Sequence, residues 1–491
     1  MKKNILTLLA VALLMPLANS CNEWLEEHPY AIATDTFYNT VDEANAAIAS
    51  VSRQLYNATT GNFSFMSMLE CFADYNYGRG TWASNSYYQV LDATNYGRTD
   101  GFWNNWYRVI RDANIVIQRI PEATSLTEAQ KTSYIAEAKF YRGYSYMIIA
   151  RYYGKGPLRT EENMTEWDMP LSSESVLWDF LMDDLTFAAQ NCPDKPVTLD
   201  RPSKNAARAV LAEAYMWKKN FSSARPLLEG IINSGNYALV PVETSRDFDN
   251  IFGYAVSNSS EEVFYGKTSE TGSLGNQIIF MYNHPNAYVD GHRMLVGSAW
   301  YGLVLSSKNK WVSEWDAKDL RKDFNVLPFT QMGTLDNFPL DGLTAKYHDP
   351  VHSGFCTCDN PMYRYADILM MEAECLNETN NGPTEQAMEY LNMIHRRAYG
   401  HDPKTPSEDD FSLADYNTKE KFMEILTKEN CYEFWGESKR WNFLLRTGQE
   451  KKYIKEYKGR DIEPNFYHWR IPQSEFDYNK ALNPSDQNPG Y

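Results

Sequence analysis

Apolar residues recur at helical spacing along much of the chain, and the first such stretch has a marked start. Thr40-Val41-Asp42-Glu43 forms a capping box, after which Ala44, Ala47, Ile48, Val51 and Leu55 share one side of a helix. A second helix is predicted from about Asn104 to Ile120, stopped by Pro121. Thr127-Glu128-Ala129-Gln130 is another capping box. It opens a long helix through Ile135, Ala138, Tyr141, Ser145, Ile148 and Tyr152, closed by Gly154. Ser172 is predicted to cap the next, with Leu177, Leu181 and Leu185 on one face.

Residues 203–234 read as a helix pair, with Ser203 as cap and Lys219-Asn220-Phe221 as turn. Leu211, Ala212, Tyr215 and Ala224 match the small and aromatic spacing of a tetratricopeptide unit. The alanines let two helices approach closely, and the tyrosine fills the angle between them. A second pair spans Arg364 to Ala398, with Leu369, Ala373 and Leu376 on one helix and Ala387, Leu391 and Ile394 on the other. Its turn is Asn380-Asn381-Gly382-Pro383, and later helices are predicted over Lys419 to Glu437 and Arg440 to Arg446. Two stretches, 61–103 and 241–360, lack this periodicity and are rich in Gly, Asn and aromatic residues, with short β-like pieces such as Glu262-Val263-Phe264-Tyr265. The predicted fold is therefore mainly α. A tetratricopeptide-like scaffold at about 40–60, 104–240 and 361–450 carries two long irregular segments and a few short strands. Long structured connections of this kind usually carry function.

The N-terminus follows a different pattern. Lys2 and Lys3 precede an apolar run from Ile5 to Leu17, broken by Pro16, and small residues lead to Cys21. The run falls short of the roughly 20 apolar residues that span a bilayer. Residues 1–20 are expected to be a cleaved export signal, leaving 21–491 as a single domain. With Cys21 at the cut, the signal resembles that of a bacterial lipoprotein, although Ala18 stands where Leu is usual. An ordinary secretory signal is the alternative. Lipid on Cys21 is the only membrane anchor the sequence offers.

Composition narrows the partners. The formal charge of −17 disfavours nucleic acid and anionic lipid, and leaves neutral or cationic ligands open. The 7 cysteines are scattered and form no disulfide framework, and Cys375 is expected in the core. Aromatic residues are abundant, with 34 Tyr and 13 Trp. Most are expected to fill spaces between helices, Trp103 and Trp106 among them. Some fall in the irregular segments, where a flat apolar face with a polar tip suits a wet binding surface.

Catalytic motifs are missing. There is no Gly-x-Ser-x-Gly, no His-Glu-x-x-His and no phosphate-binding Gly-rich loop with Lys. Gly78-Arg79-Gly80-Thr81-Trp82-Ala83 matches the dinucleotide pattern only by letters. His348, His352, Cys356 and Cys358 are zinc-type ligands within one short stretch, but Cys-x-Cys is tighter than the usual spacing, and a plain surface loop is the preferred reading. No metal and no cofactor is expected. The ligand-binding candidates are Asp74, Tyr75, Tyr77, Arg79, Trp82, Tyr87, Tyr88 and Asn95 in the first irregular segment. In the second they are Tyr282, His284, Tyr288, Trp300, Tyr301 and Trp311. Tyr and Trp can stack on the C–H faces of sugar rings, while Arg, Asn and Asp take hydroxyl hydrogen bonds.

Several segments in order resemble the SusD/RagB family of Bacteroidetes surface lipoproteins. They begin with Trp24-Leu25-Glu26-Glu27-His28-Pro29, then Trp106-Tyr107-Arg108-Val109-Ile110-Arg111-Asp112-Ala113-Asn114 and Glu137-Ala138-Lys139-Phe140-Tyr141-Arg142-Gly143-Tyr144. Pro202-Ser203-Lys204-Asn205-Ala206-Ala207 and Tyr363-Arg364-Tyr365-Ala366-Asp367-Ile368-Leu369 continue the match. Glu429-Asn430-Cys431-Tyr432-Glu433-Phe434-Trp435-Gly436-Glu437 and Arg440-Trp441-Asn442-Phe443-Leu444 follow, and Gln487-Asn488-Pro489-Gly490-Tyr491 closes the chain. Asn430 and Asn442 depart from the commoner Arg and Asp. The resemblance implies a tetratricopeptide-like scaffold and binding without catalysis. It implies a glycan ligand and a TonB-dependent outer-membrane transporter (SusC-like) as partner, with this protein as its lid. It places the protein on the outer membrane, lipid-anchored and facing the exterior. A glycoside hydrolase on a helical scaffold, the same role for peptides, and a pure scaffold are the alternatives.

Overall fold

The computed structural model describes residues 37–270 and 274–491. The export signal, Cys21 and the Trp24–Pro29 stretch lie outside the described residues.

The scaffold is helical. Its first helices are α1 (Val41–Ala58), α2 (Phe63–Cys71), α3 (Ala93–Arg119), α4 (Glu128–Tyr153) and α5 (Glu174–Asn191). The helix pair α6 (Lys204–Trp217) and α7 (Phe221–Ile232) follows. After the irregular middle come α8 (Tyr365–Thr379), α9 (Glu385–Ala398), α10 (Lys419–Glu433), α11 (Arg440–Thr447) and α12 (Glu450–Lys458). Neighbours in sequence pack in space: α4 lies against α3 and α5, and α6 against α5 and α7. Helix α8 then packs on α7, α9 and α10, which joins the late helices to the early ones.

The predicted caps at Thr40 and Thr127 are both present as capping boxes. Gly154 ends α4 at φ 69°, a left-handed conformation that a side chain disfavours. Ala212 and Ala224 are fully buried between α6 and α7, as the repeat spacing requires. Ser203 caps α6, accepting from Ala206 N at 3.1 Å.

Three boundaries differ from expectation. Helix α3 begins at Ala93, well before Asn104, with the Asp92 carboxylate accepting from Asn95 N at 3.0 Å. Its early buried stripe includes Asn95 and Thr99, so polar residues stand where an apolar periodicity would have marked the helix. Helix α5 starts after Ser173 rather than Ser172, because Ser172 pairs with Gly156 in a short antiparallel ladder. Helix α10 stops at Glu433, short of Glu437.

The segment 61–103 is more helical than expected, with α2, a 3-10 stretch at Gly80–Tyr87 and the start of α3. The segment 241–360 holds one-turn helices and short two-stranded ladders. Glu262–Gly266 is a strand as predicted and pairs antiparallel with Asn360–Arg364.

A buried ionic network ties this middle segment to the scaffold. Arg364 meets Glu261 at 3.2 Å and Glu437 at 2.9 Å, and also pairs with Glu433 at 2.5 Å. Arg397 pairs with Glu261 and Glu433. Arg321 reaches Glu429 at 2.9 Å, and Lys346 reaches Glu437 at 2.6 Å. Buried charges are tolerable only when fully paired, and here each carboxylate has at least two cationic or hydrogen-bonding partners.

Candidate ligand-binding groove

The two irregular segments meet at one small ladder. Tyr77–Gly78 pairs antiparallel with Leu303–Val304, in the register Tyr77 to Val304 and Gly78 to Leu303. One residue further, Arg79 N donates to Gly302 O at 2.8 Å. Two glycines permit this. A Cβ on Gly78 would lie 2.1 Å from Trp82 O, and one on Gly302 would lie 2.3 Å from Met281 Cε. At Gly78 the clash is with backbone, so no side chain fits there; at Gly302 a side chain would have to displace the tip of Met281.

Above the ladder lies an open groove of about 400 Å³. Phe63, Arg79, Trp82, Arg98, Trp300 and Tyr301 line it, with Ser64, Gly80, Thr81, Met281 and Gly302. Trp300 is 45% exposed, high for so large an apolar ring, and Phe63 meets it edge-on at 4.7 Å. Tyr301 is held at φ 35° with its N–H bonded to Asn283 O at 3.1 Å. A non-glycine residue with positive φ is strained, typically by about 1–3 kcal/mol, and such strain concentrates at functional sites. The Arg79 guanidinium lies 4.5 Å from the Tyr301 ring, and that of Arg98 lies 3.6 Å from Trp82. The ring of His284 packs on Tyr301 at 4.7 Å, just behind the groove. Burial and the neighbouring Arg79 push this imidazole below its ordinary range, so it is neutral at pH 7.

Four of the candidates therefore converge: Arg79, Trp82, Trp300 and Tyr301. His284 supports them from behind. Seven others belong to the interior. Tyr75 is fully buried, stacked on Trp435 at 3.8 Å, and donates to Glu70 at 2.8 Å. Asp74 is fully buried, pairs with Arg440 at 2.8 Å and accepts from Trp311 Nε1 at 2.9 Å. Trp311 spends its other surface stacking on Tyr457 at 4.2 Å. Tyr77 is buried and accepts from Asn309 Nδ2 at 3.0 Å. Tyr88 accepts from the buried Lys458 at 2.7 Å. Asn95 holds Asn85 and Ser84, and Tyr282 is fully buried. In each case a polar tip found a protein partner or a ring found a packed slot, which leaves no face for a ligand. Tyr87 lies under Arg460 at 4.5 Å, and Tyr288 is 48% exposed on a separate hairpin; neither lines the groove.

The sequence reading missed Phe63 and Arg98. Phe63 follows the cap Asn62 at the start of α2, and Arg98 lies in the early turns of α3. Both were hidden by the failure to see helix in 61–103.

The His348–Cys358 stretch is not a plain surface loop. Asp349–Ser353 is a strand beside Leu295–Val296, and Cys356 and Cys358 are fully buried. His352 sits between Asp349 and Glu270, each at 2.9 Å. Among the described residues no group of three or more such side chains could hold a metal ion. The six described cysteines are free and buried, Cys375 included.

Comparison with known proteins agrees with this architecture. Residues 293–491 match the SusD family, and residues 23–216 match the family described as "Starch-binding associating with outer membrane". SusD-like protein P25 of Formosa agariphila is 26% identical, across 96% of this chain and 97% of its own. Among solved structures, a SusD homolog from Bacteroides thetaiotaomicron superposes with a TM-score of 0.76 at 20% identity, covering 94% of this chain and 99% of its own. The surface glycan-binding protein A from Bacteroides fluxus gives 0.73 at 20% identity, covering 92% of this chain and 100% of its own. The chain belongs to the SusD/RagB family, and its fold is the tetratricopeptide-like helical fold of these structures.

Proposed function

We propose that this protein is a lipid-anchored surface receptor that captures a glycan in the Trp300 groove and delivers it to a TonB-dependent outer-membrane transporter, over which it acts as a lid. The meeting of Arg79, Trp82, Trp300 and Tyr301 in one groove carries this reading, because the exposed Trp300 ring beside hydrogen-bonding groups suits a sugar. The description of one matched family, with its starch binding and outer-membrane association, supports it, as does the shared fold of the Bacteroides fluxus surface glycan-binding protein. Binding is favoured over hydrolysis at this groove. Glycoside cleavage needs two carboxyl groups roughly 5–9.5 Å apart, and among the described residues no Asp or Glu lines the groove.

Calorimetric titration with a panel of oligosaccharides tests the groove. The parent should bind at least one of them, and Trp300→Ala should weaken that binding by about ten-fold, the worth of one well-placed ring. Equal affinity in both proteins would place the ligand elsewhere. The anchor has its own test. Cys21→Ala should move the protein from the membrane fraction to the soluble one, and retention of the variant on the membrane would refute lipidation.

A further inference from the structure

We infer that the groove is built for an acidic saccharide, one that carries carboxylate or sulfate groups. The inference rests on the reading of this groove as the glycan site and names the ligand class. Two guanidinium groups, Arg79 and Arg98, line the groove, and among the described residues no carboxylate does. This is unexpected in a chain with 64 acidic against 47 basic residues. Elsewhere in the molecule buried arginines are matched by carboxylates, as Arg142, Arg201, Arg321, Arg364 and Arg440 all are.

The two groove arginines differ from those. Among the described residues neither has a carboxylate within ion-pair distance. Arg79 spends only its Nε, on Met332 O at 3.3 Å, and its terminal nitrogens have no acceptor among the described residues. Arg98 donates to neutral acceptors, Thr81 Oγ1 at 2.9 Å, Thr81 O at 3.2 Å and Asn95 Oδ1. Asp92 acts on Arg98 only at longer range, being bonded to Asn95 as the cap of α3. Half-burial without a counter-ion pushes the Arg98 guanidinium below its ordinary value. An anion in the groove would offset that cost.

Each cation also lies over an aromatic face. Arg79 covers Tyr301 and Arg98 covers Trp82, which holds both guanidiniums in place without neutralising them. A guanidinium matches the planar carboxylate of a uronic acid or the oxygens of a sulfate ester with two parallel bonds. The exposed Trp300 ring then takes the apolar face of the same or the next sugar. The overall charge repels anions at long range, so affinity for an acidic glycan has to come from a local, uncompensated cationic pair such as this one.

The test is calorimetric titration with size-matched pairs: oligogalacturonates and their carboxyl-reduced forms, sulfated galactan oligosaccharides and their desulfated forms, and neutral α- and β-glucan oligosaccharides. An acidic member should bind at least about ten-fold tighter than its neutralised counterpart, as the loss of charge-assisted bonds requires. The pair that shows the difference identifies carboxylate or sulfate as the recognised group. Affinity should fall with added salt. Arg79→Gln and Arg98→Gln should each abolish the preference, and Arg79→Lys should restore part of it, with melting curves confirming that each variant folds. If a neutral glucan binds as tightly as any acidic sugar and Trp300→Ala removes it, the groove stands and the acidic inference falls. If an acidic sugar binds and Trp300→Ala is without effect, the groove itself is misplaced. A panel in which no acidic member binds overturns the inference outright.

Discussion

Trp82 and Trp300 share one groove, yet their removal should have different consequences. Trp82 is only 7% exposed and lies under Arg98, with Gly302 close beside its ring. Trp82→Ala should cost about 3–5 kcal/mol of stability, as a large ring cut from a packed slot does. Trp300 stands 45% exposed and supports little of the core. Trp300→Ala should therefore weaken glycan binding with a melting temperature close to that of the parent, which makes it the cleaner probe. Differential scanning calorimetry separates the two, and equal loss of stability in both would mean that Trp300 is a packing residue. At this scale the sequence was partly legible. Trp and Tyr in glycine- and asparagine-rich stretches marked the groove, but residue type alone could not separate Trp300 from Trp311. Trp311 has the same chemistry and stands in the same segment, but it lies against Tyr457 and donates to Asp74, a residue far away in the chain. Such distant partners leave no local signature.

At the scale of elements, the caps at Thr40, Thr127 and Ser203 and the repeat spacing were read correctly, while the start of α5 was placed one residue early. The pair α6–α7 was legible because Leu211, Ala212 and Ala224 occupy its close-packed interface. Helix α3 was read short because Asn95 and Thr99, held by hydrogen bonds, occupy buried positions. The same polar substitution hid Arg98 and with it half of the cationic pair. The pairing of Tyr77–Gly78 with Leu303–Val304 was also invisible, since a two-residue ladder between distant segments has no periodicity to detect. The repeat interface makes its own prediction. Ala212 is fully buried where α6 lies against its neighbours, so Ala212→Leu forces a larger side chain into a filled space. It should lower stability by about 1–3 kcal/mol in urea unfolding followed by circular dichroism. An unchanged midpoint would mean that the α6–α7 interface has room the structure does not show.

Across the whole molecule, the irregular middle is fastened to the helical scaffold by charge, and this sets a dependence on pH. Glu429 and Glu437 are buried beside Arg321, Arg364 and Lys346. These cations hold both carboxyls down at about 2, despite burial that works in the opposite direction. Glu433, facing Arg397, Arg364 and Arg321, is held well below the ordinary carboxylate range. A carboxyl whose folded value is depressed adds stability that is fully present above its unfolded value, near 4.3 for glutamate. Between that pH and about 2 the unfolded chain takes up protons that the native network refuses, so stability falls as pH falls. Glu262 and Glu372 run the other way. Burial raises both to about 7, so they add stability as pH drops from about 7 toward 4.3 and none below. The two groups of carboxyls together predict a stability maximum at about pH 4.5, followed by steep loss toward pH 2. Urea midpoints measured from pH 7 to pH 2.5 check this. Glu437→Gln should lower stability at pH 6, because Arg364 and Lys346 each lose a buried counter-charge, and should flatten the acid limb. A parent whose midpoint holds steady from pH 4.5 to 2.5 would show that the network does not govern acid stability.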